Sequence, residues 1–129
     1  MMDVLSDGLP GDVLVVEDDA IIALDFEDTI LRLGVKMVRT AGNVTRALQL
    51  IDERAPDFAL LDIGLVRENS FAVAERLEML GIPFAFVSGY DGETALTDAF
   101  AQRPRLPKPC TTAALEAALK RAAAGRAAR

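Results

Sequence analysis

The chain has 129 residues, 51% of them hydrophobic and 26% charged, which suits one globular domain with a buried core. Lys and Arg number 14 against 20 Asp and Glu, and the net charge of -6 argues against a direct nucleic-acid partner, because phosphate binding needs a positive face. The absence of histidine excludes His-based triads, His metal ligands and a phosphohistidine donor, and the single cysteine, Cys110, excludes an intramolecular disulfide.

Residues 1–10 read as a flexible leader, with Asp7, Gly8 and Pro10 favouring turns. No basic segment followed by an apolar run opens the chain, and no apolar stretch approaches the ~18 residues of a membrane span. The expectation is a cytoplasmic protein with no signal peptide and no membrane partner. Val13 to Val16 is the first strand, stopping on Glu17, Asp18 and Asp19. Ile21, Ile22, Leu24, Phe26, Ile30 and Leu33 predict a helix that Gly34 caps. Val35 to Val38 is a second strand, polar enough to lie at an edge. Asn43 then N-caps a helix carrying Val44, Ala47, Leu48 and Ile51 and ending near Ala55.

Phe58-Ala59-Leu60-Leu61 runs without a polar break and ends on Asp62, the pattern of a strand buried on both faces. A loop through Asn69 and Ser70 leads to a helix bearing Phe71, Val73, Ala74, Leu77 and Leu80, capped by Gly81. Pro83 to Val87 is the fourth strand and runs into Ser88-Gly89-Tyr90. Thr94 to Ala101 is a short helix candidate, and the prolines between Arg103 and Pro109 make any fifth strand short and irregular. Thr111 or Thr112 caps a last helix with Leu115, Ala118 and Leu119 on one face. Cys110 reads as a small buried hydrophobe.

Strands alternating with helices predict an α/β fold, a doubly wound five-stranded parallel sheet with helices on both faces. The domain spans 11–124, with a tail at 125–129. In such sheets ligands bind beyond the carboxyl ends of the strands. That rule selects Glu17 and Asp18 after the first strand, Asp62 after the third, Ser88 after the fourth and Lys108 after the fifth. With strand order 2-1-3-4-5 these converge on one rim. Two carboxylates about 4 Å apart repel by roughly 4 kcal/mol at an effective dielectric of 20. Mg²⁺, held by carboxylates, waters and phosphate oxygens, is the natural remedy, and Lys108 adds a further positive charge. Asp62 then suits a phosphoryl acceptor, with Lys108 and Ser88 in reach of the phosphoryl oxygens.

Each residue also has a plainer reading. Asp62 ends its strand at the surface, Asp18 or Asp19 N-caps the next helix, Ser88-Gly89 is a turn, and Lys108 is a solvated loop residue. What favours the functional reading is that each follows a strand on the same end of the sheet.

The segments Leu14-Val15-Val16-Glu17-Asp18-Asp19, Leu60-Leu61-Asp62, Val87-Ser88-Gly89 and Pro107-Lys108-Pro109 resemble those of response-regulator receiver domains of two-component signalling, over about residues 12 to 122. The resemblance implies a flavodoxin-like fold, with Glu17 and Asp18 on Mg²⁺, Asp62 as phosphoacceptor, Ser88 as switch hydroxyl and Lys108 on the phosphoryl group. It also implies that the backbone carbonyl of Gly64 completes the metal shell. Pro83 to Tyr90 is similar to the signature of atypical stand-alone "FAT GUY" receivers of alphaproteobacteria, in which Tyr90 is the aromatic that responds to phosphorylation. Departures are the loop Gly64 to Ser70, which lacks a Pro-Gly step, and Arg105 where receivers carry an aromatic three residues before the lysine.

The implied function is a single-domain response regulator without an output domain, not an enzyme beyond its own phosphorylation and slow dephosphorylation. Its partners are a histidine kinase or phosphotransfer protein and an unknown downstream protein. Output is a protein contact, onward relay or a phosphate sink. The alternative is a receiver-fold docking module that works without phosphorylation. A phosphatase with an Asp nucleophile is disfavoured because position 64 is Gly rather than an acid, and a dinucleotide-binding domain because no Gly-rich turn follows the first strand.

Overall fold

The computed structural model describes residues 8–65, 68–88 and 103–127. In chain order the elements are β1 (Asp12–Val16), α1 (Ala20–Leu33), β2 (Met37–Ala41), α2 (Val44–Glu53), β3 (Phe58–Asp62), β4 (Gly64–Leu65), β5 (Glu68–Asn69), α3 (Phe71–Leu80), β6 (Phe84–Ser88), β7 (Arg105–Pro107) and α4 (Thr112–Ala127). A five-stranded sheet runs β2-β1-β3-β6-β7 with every pairing parallel, and β4 and β5 form a small antiparallel hairpin. The expected order 2-1-3-4-5 and the flavodoxin-like fold are therefore realised. The candidate helix from Thr94 to Ala101 lies outside the described residues.

β1, β3 and β6 are buried along their whole length. Successive side chains of a strand point to opposite faces, so each central strand feeds two cores. Leu14, Val16, Ala59, Leu61, Phe84 and Phe86 pack with Ala47, Leu50 and Ile51 of α2 and Val73, Ala74 and Leu77 of α3. On the other face Val13, Val15, Phe58, Leu60, Ala85 and Val87 pack with Phe26 and Ile30 of α1 and Leu115, Ala118 and Leu119 of α4. Phe86 meets both Phe84 and Phe71 edge to face, at centroid distances of 5.5 and 5.9 Å.

The helix ends are set locally. Asp19 accepts from the N–H groups of Ile21 and Ile22 and so N-caps α1. Asn43 does the same for α2 by accepting from Arg46 N, and Thr111 for α4 by accepting from Ala114 N. Gly34 and Gly81 close α1 and α3 in the left-handed conformation, at φ 116° and 71°.

Several boundaries differ from the sequence reading. Val35 does not open β2. Its N–H bonds back to Ile30 O as part of the α1 terminus, its side chain is buried, and β2 begins at Met37 opposite Asp12. Leu9, assigned to the leader, is buried in the core beside Gly34. Ile21 and Leu24 are exposed, because Phe26 and Ile30 fix the buried side of α1 and the 100° advance per residue carries Ile21 and Leu24 off it. The loop after Asp62 contains the β4–β5 hairpin, whose Glu68 carboxylate accepts from Val44 N at the start of α2.

The amino-terminal edge of the sheet holds a buried charge cluster. Asp12 is 2% exposed, and its two oxygens accept from Arg39 Nε and Nη2 at 3.1 and 3.0 Å. Arg54 Nε lies 3.1 Å from the same carboxylate, and Arg39 also donates to Leu50 O and Arg54 O at the end of α2. Both oxygens of the acid are satisfied, and the arginine closes a helix terminus. Arg39→Ala is expected to cost about 3 kcal/mol of stability, since it strips a buried carboxylate of its two-pronged partner. In urea unfolding the midpoint falls with an unchanged slope.

Candidate functional site

At the opposite end of the sheet, the carboxyl ends of the strands bring the predicted residues together. Glu17 follows β1 and is held in line by its N–H bond to Ala41 O at 2.9 Å. Asp62 ends β3, one register step from β6, where it pairs with Val87. Because Asp19 is occupied as the α1 cap, its neighbour Asp18 is the acid left to the rim. Single carboxylate oxygens of Glu17, Asp18 and Asp62 lie within 4.8 Å of one another. Glu17 is 3% and Asp62 6% exposed, so these charges are largely removed from water.

Lys108 follows the short β7 and is fixed by its own N–H, which donates to Ser88 O at 2.8 Å. Its ammonium reaches back across the sheet, 3.0 Å from Glu17 Oε1 and 3.1 Å from Asp62 Oδ2. The Asp62 contact is a hydrogen bond. Asp62 Oδ1 accepts from Gly64 N at 3.2 Å, and Glu17 Oε2 accepts from Asp19 N at 3.1 Å. Glu17 Oε1 is buried, and beyond the charge of Lys108 it has no aligned donor among the described residues. Ser88 is buried at the end of β6, and its hydroxyl accepts from Arg105 Nε at 3.3 Å. Tyr90 lies outside the described residues.

The electrostatics follow from this crowding. Burial pushes the Glu17 carboxyl up to about 7; the charge of Asp62 adds to the rise, while Lys108 and the Asp19 N–H offset it only in part. Burial alone would lower the Lys108 ammonium, but its contacts with Glu17 and Asp62 outweigh that and leave it raised. The residues fit a hard dication: an oxygen-only donor set, excess negative charge, and a buried carboxylate oxygen with no aligned donor among the described residues. An open cleft of about 360 Å³ adjoins them, lined by Glu17, Asp18, Leu24, Glu27 and Thr40. A second cavity, of about 330 Å³, lies at the far end of the sheet around Phe58, Phe84 and Ala118, remote from this chemistry.

Sequence reasoning missed the Arg105–Ser88 contact. It rests on a register, Phe86 opposite Arg105, that a three-residue strand containing proline does not reveal. The Glu68 contact to α2 was missed for a similar reason, since a pair of two-residue strands leaves no periodicity to read.

Comparison with known proteins bears on what this rim is for. Residues 13–120 match the response regulator receiver domain. Among solved structures the chain is similar to SdrG from Sphingomonas melonis Fr1, with 35% identity, 91% of this chain and 98% of that one covered, and a TM-score of 0.77. It is also similar to the phyllosphere-induced regulator PhyR of Methylorubrum extorquens, 29% identical over 89 residues, which are 67% of this chain and 33% of PhyR. The transcriptional regulatory protein PdtaR of Mycobacterium tuberculosis is 28% identical over 69 residues, 54% of this chain and 34% of PdtaR. The chain thus spans about a third of the length of the curated relatives it matches. The sheet order, the extent of the match and the likeness to SdrG agree, and the chain belongs to the receiver domain family of two-component response regulators.

Proposed function

We propose that this chain is a phosphorylation switch in which Asp62 accepts a phosphoryl group. The observation that carries the reading is Lys108 Nζ at 3.0 and 3.1 Å from Glu17 and Asp62, beside a third carboxylate from Asp18. The donor is a phosphohistidine on a partner histidine kinase or phosphotransfer protein, since this chain has no histidine. An Asp62 carboxylate oxygen bonds to phosphorus as the P–N bond of the phosphohistidine breaks, and the imidazole leaves with the electron pair. Lys108 moves its charge onto a phosphoryl oxygen, Gly64 N–H steadies Asp62 Oδ1, and the Ser88 hydroxyl donates to a second phosphoryl oxygen. Glu17, Asp18 and Asp62, with the Gly64 carbonyl, would hold Mg²⁺, which when bound supplies charge to neutralise the phosphoryl oxygens.

Phosphorylation then biases a two-state surface rather than building a new one. The likeness to SdrG along 98% of that chain supports a stand-alone receiver. Its output is a contact with a downstream protein, onward transfer, or drainage of a shared kinase. None of the described helices is long and apolar enough to cross a membrane.

Intact mass after incubation with acetyl phosphate tests the assignment. Wild type is expected to gain one phosphoryl group with Mg²⁺ and none without it, while Asp62→Asn gains none. Gain by neither protein, from acetyl phosphate or from a cognate kinase, would instead make the fold a docking module. Lys108→Ala has two effects of opposite sign. It slows phosphorylation by about ten- to a hundredfold, the worth of a charge-assisted hydrogen bond. It also raises Mg²⁺ affinity by roughly tenfold, because the ammonium competes with the dication for Glu17 and Asp62. Titration calorimetry beside a phosphorylation time course reads both.

A further inference from the structure

Arg105 enters the sequence as a departure, a cation where receivers carry an aromatic. The structure gives it a partner at the centre of the switch. β7 places Arg105 opposite Phe86 and Pro107 opposite Ser88, and the Arg105 Nε–H donates to the Ser88 hydroxyl at 3.3 Å. The serine is buried and the arginine exposed, so the bond runs from the protein surface to the edge of the phosphoacceptor site. The Ser88 backbone is held separately, by the bond from Lys108 N to Ser88 O. What remains adjustable at Ser88 is the side-chain torsion, and Arg105 acts on it directly.

A hydroxyl has one hydrogen to give and two lone pairs to fill. Arg105 fills one lone pair and leaves the hydrogen free, directed away from the guanidinium. A charged donor on the oxygen also polarises the O–H bond and strengthens what that hydrogen donates next. Ser88 follows Val87, the register partner of Asp62, so Ser88 and Asp62 end neighbouring strands on the same rim.

We propose that Arg105 is a positioning residue for the Ser88 hydroxyl: it holds the oxygen and keeps its hydrogen available to the phosphoryl group on Asp62, so that the phosphorylated state depends on a surface arginine. The idea rests on the phosphoacceptor reading of Asp62. It puts a polar contact at the position where receivers carry an aromatic, and a partner's acidic group could compete for that contact at the surface.

The test is a double-mutant cycle on two readouts. In the metal-free protein, Ser88→Ala is expected to shift the NMR resonance of the Arg105 Nε–H; an unmoved resonance overturns the contact. With Mg²⁺ present, Arg105→Ala is expected to weaken binding of beryllofluoride, a mimic of aspartyl phosphate, by roughly two- to tenfold, the range of one hydrogen bond. In the Ser88→Ala background the same change should have no effect, because the group it acts through is gone. An equal effect in both backgrounds, or none in either, overturns the proposal while leaving Asp62 as the acceptor. If wild type binds no beryllofluoride and takes no phosphoryl group, the acceptor reading itself fails and the proposal falls with it, even where the resonance shift is seen.

Discussion

Like charges forced together at the end of a buried sheet are the constraint from which the rest of this molecule follows. Glu17 and Asp62 sit at the carboxyl ends of neighbouring parallel strands with almost no access to water, and Asp18 lies within reach of both. Water cannot screen them, so the chain must bring its own countercharge. Lys108 does so from a third strand end, and its 3.0 and 3.1 Å contacts hold the two sides of the rim together. Burial drives the Glu17 carboxyl up to about 7, Lys108 offsets that only in part, and one Glu17 oxygen has no aligned donor among the described residues. A rim left in this state could take up added positive charge and, on the proposed reading, a phosphoryl group that redistributes the existing charge.

The other end of the sheet shows what a buried acid looks like when it serves only the fold. Asp12 is as buried as Glu17, yet both its oxygens are taken by a two-pronged arginine, with a second guanidinium beside it. Guanidinium geometry matches a carboxylate, whereas a single ammonium shared between two acids does not. The two ends carry the same chemistry, a carboxylate and a cation, and differ in how far it is satisfied. That difference separates the structural cluster from the functional one more sharply than burial does.

The weakest element of the sheet carries its most consequential side chains. β7 has three residues, ends on Pro107 and lies at an edge, where the missing N–H costs no ladder bond. Arg105 is on it and Lys108 directly follows it, each tied to Ser88, one through the hydroxyl and the other through the backbone carbonyl. Few bonds hold this strand, and a short edge strand is among the segments that shift at small energetic cost. On the proposed phosphoacceptor reading of Asp62, the residues that would respond to it lie where response is easiest, while β1, β3 and β6, buried along their whole length, hold the acids.

Much of this was legible in one dimension because its physics is local. An unbroken apolar run before Asp62 signals a strand covered on both faces, and Asp19, Asn43, Gly34 and Gly81 announce helix ends by the bonds and dihedral angles that only such residues supply. Acids and a lysine falling just after strands placed the site at the carboxyl rim. Registers were not legible, because they depend on which backbone lies alongside. The start of β2 at Met37 is set by its pairing with Asp12, and the exposure of Ile21 and Leu24 by the choice of Phe26 and Ile30 as the buried side of α1. Sequence determined the fold class and the residues of the rim, since alternation, capping and strand-end charges are properties of neighbouring positions. Tertiary structure alone decided how well each charge is satisfied: that Asp12 finds Arg39, that Lys108 is shared between Glu17 and Asp62, and that Arg105 reaches Ser88, because each of those partners comes from a different strand.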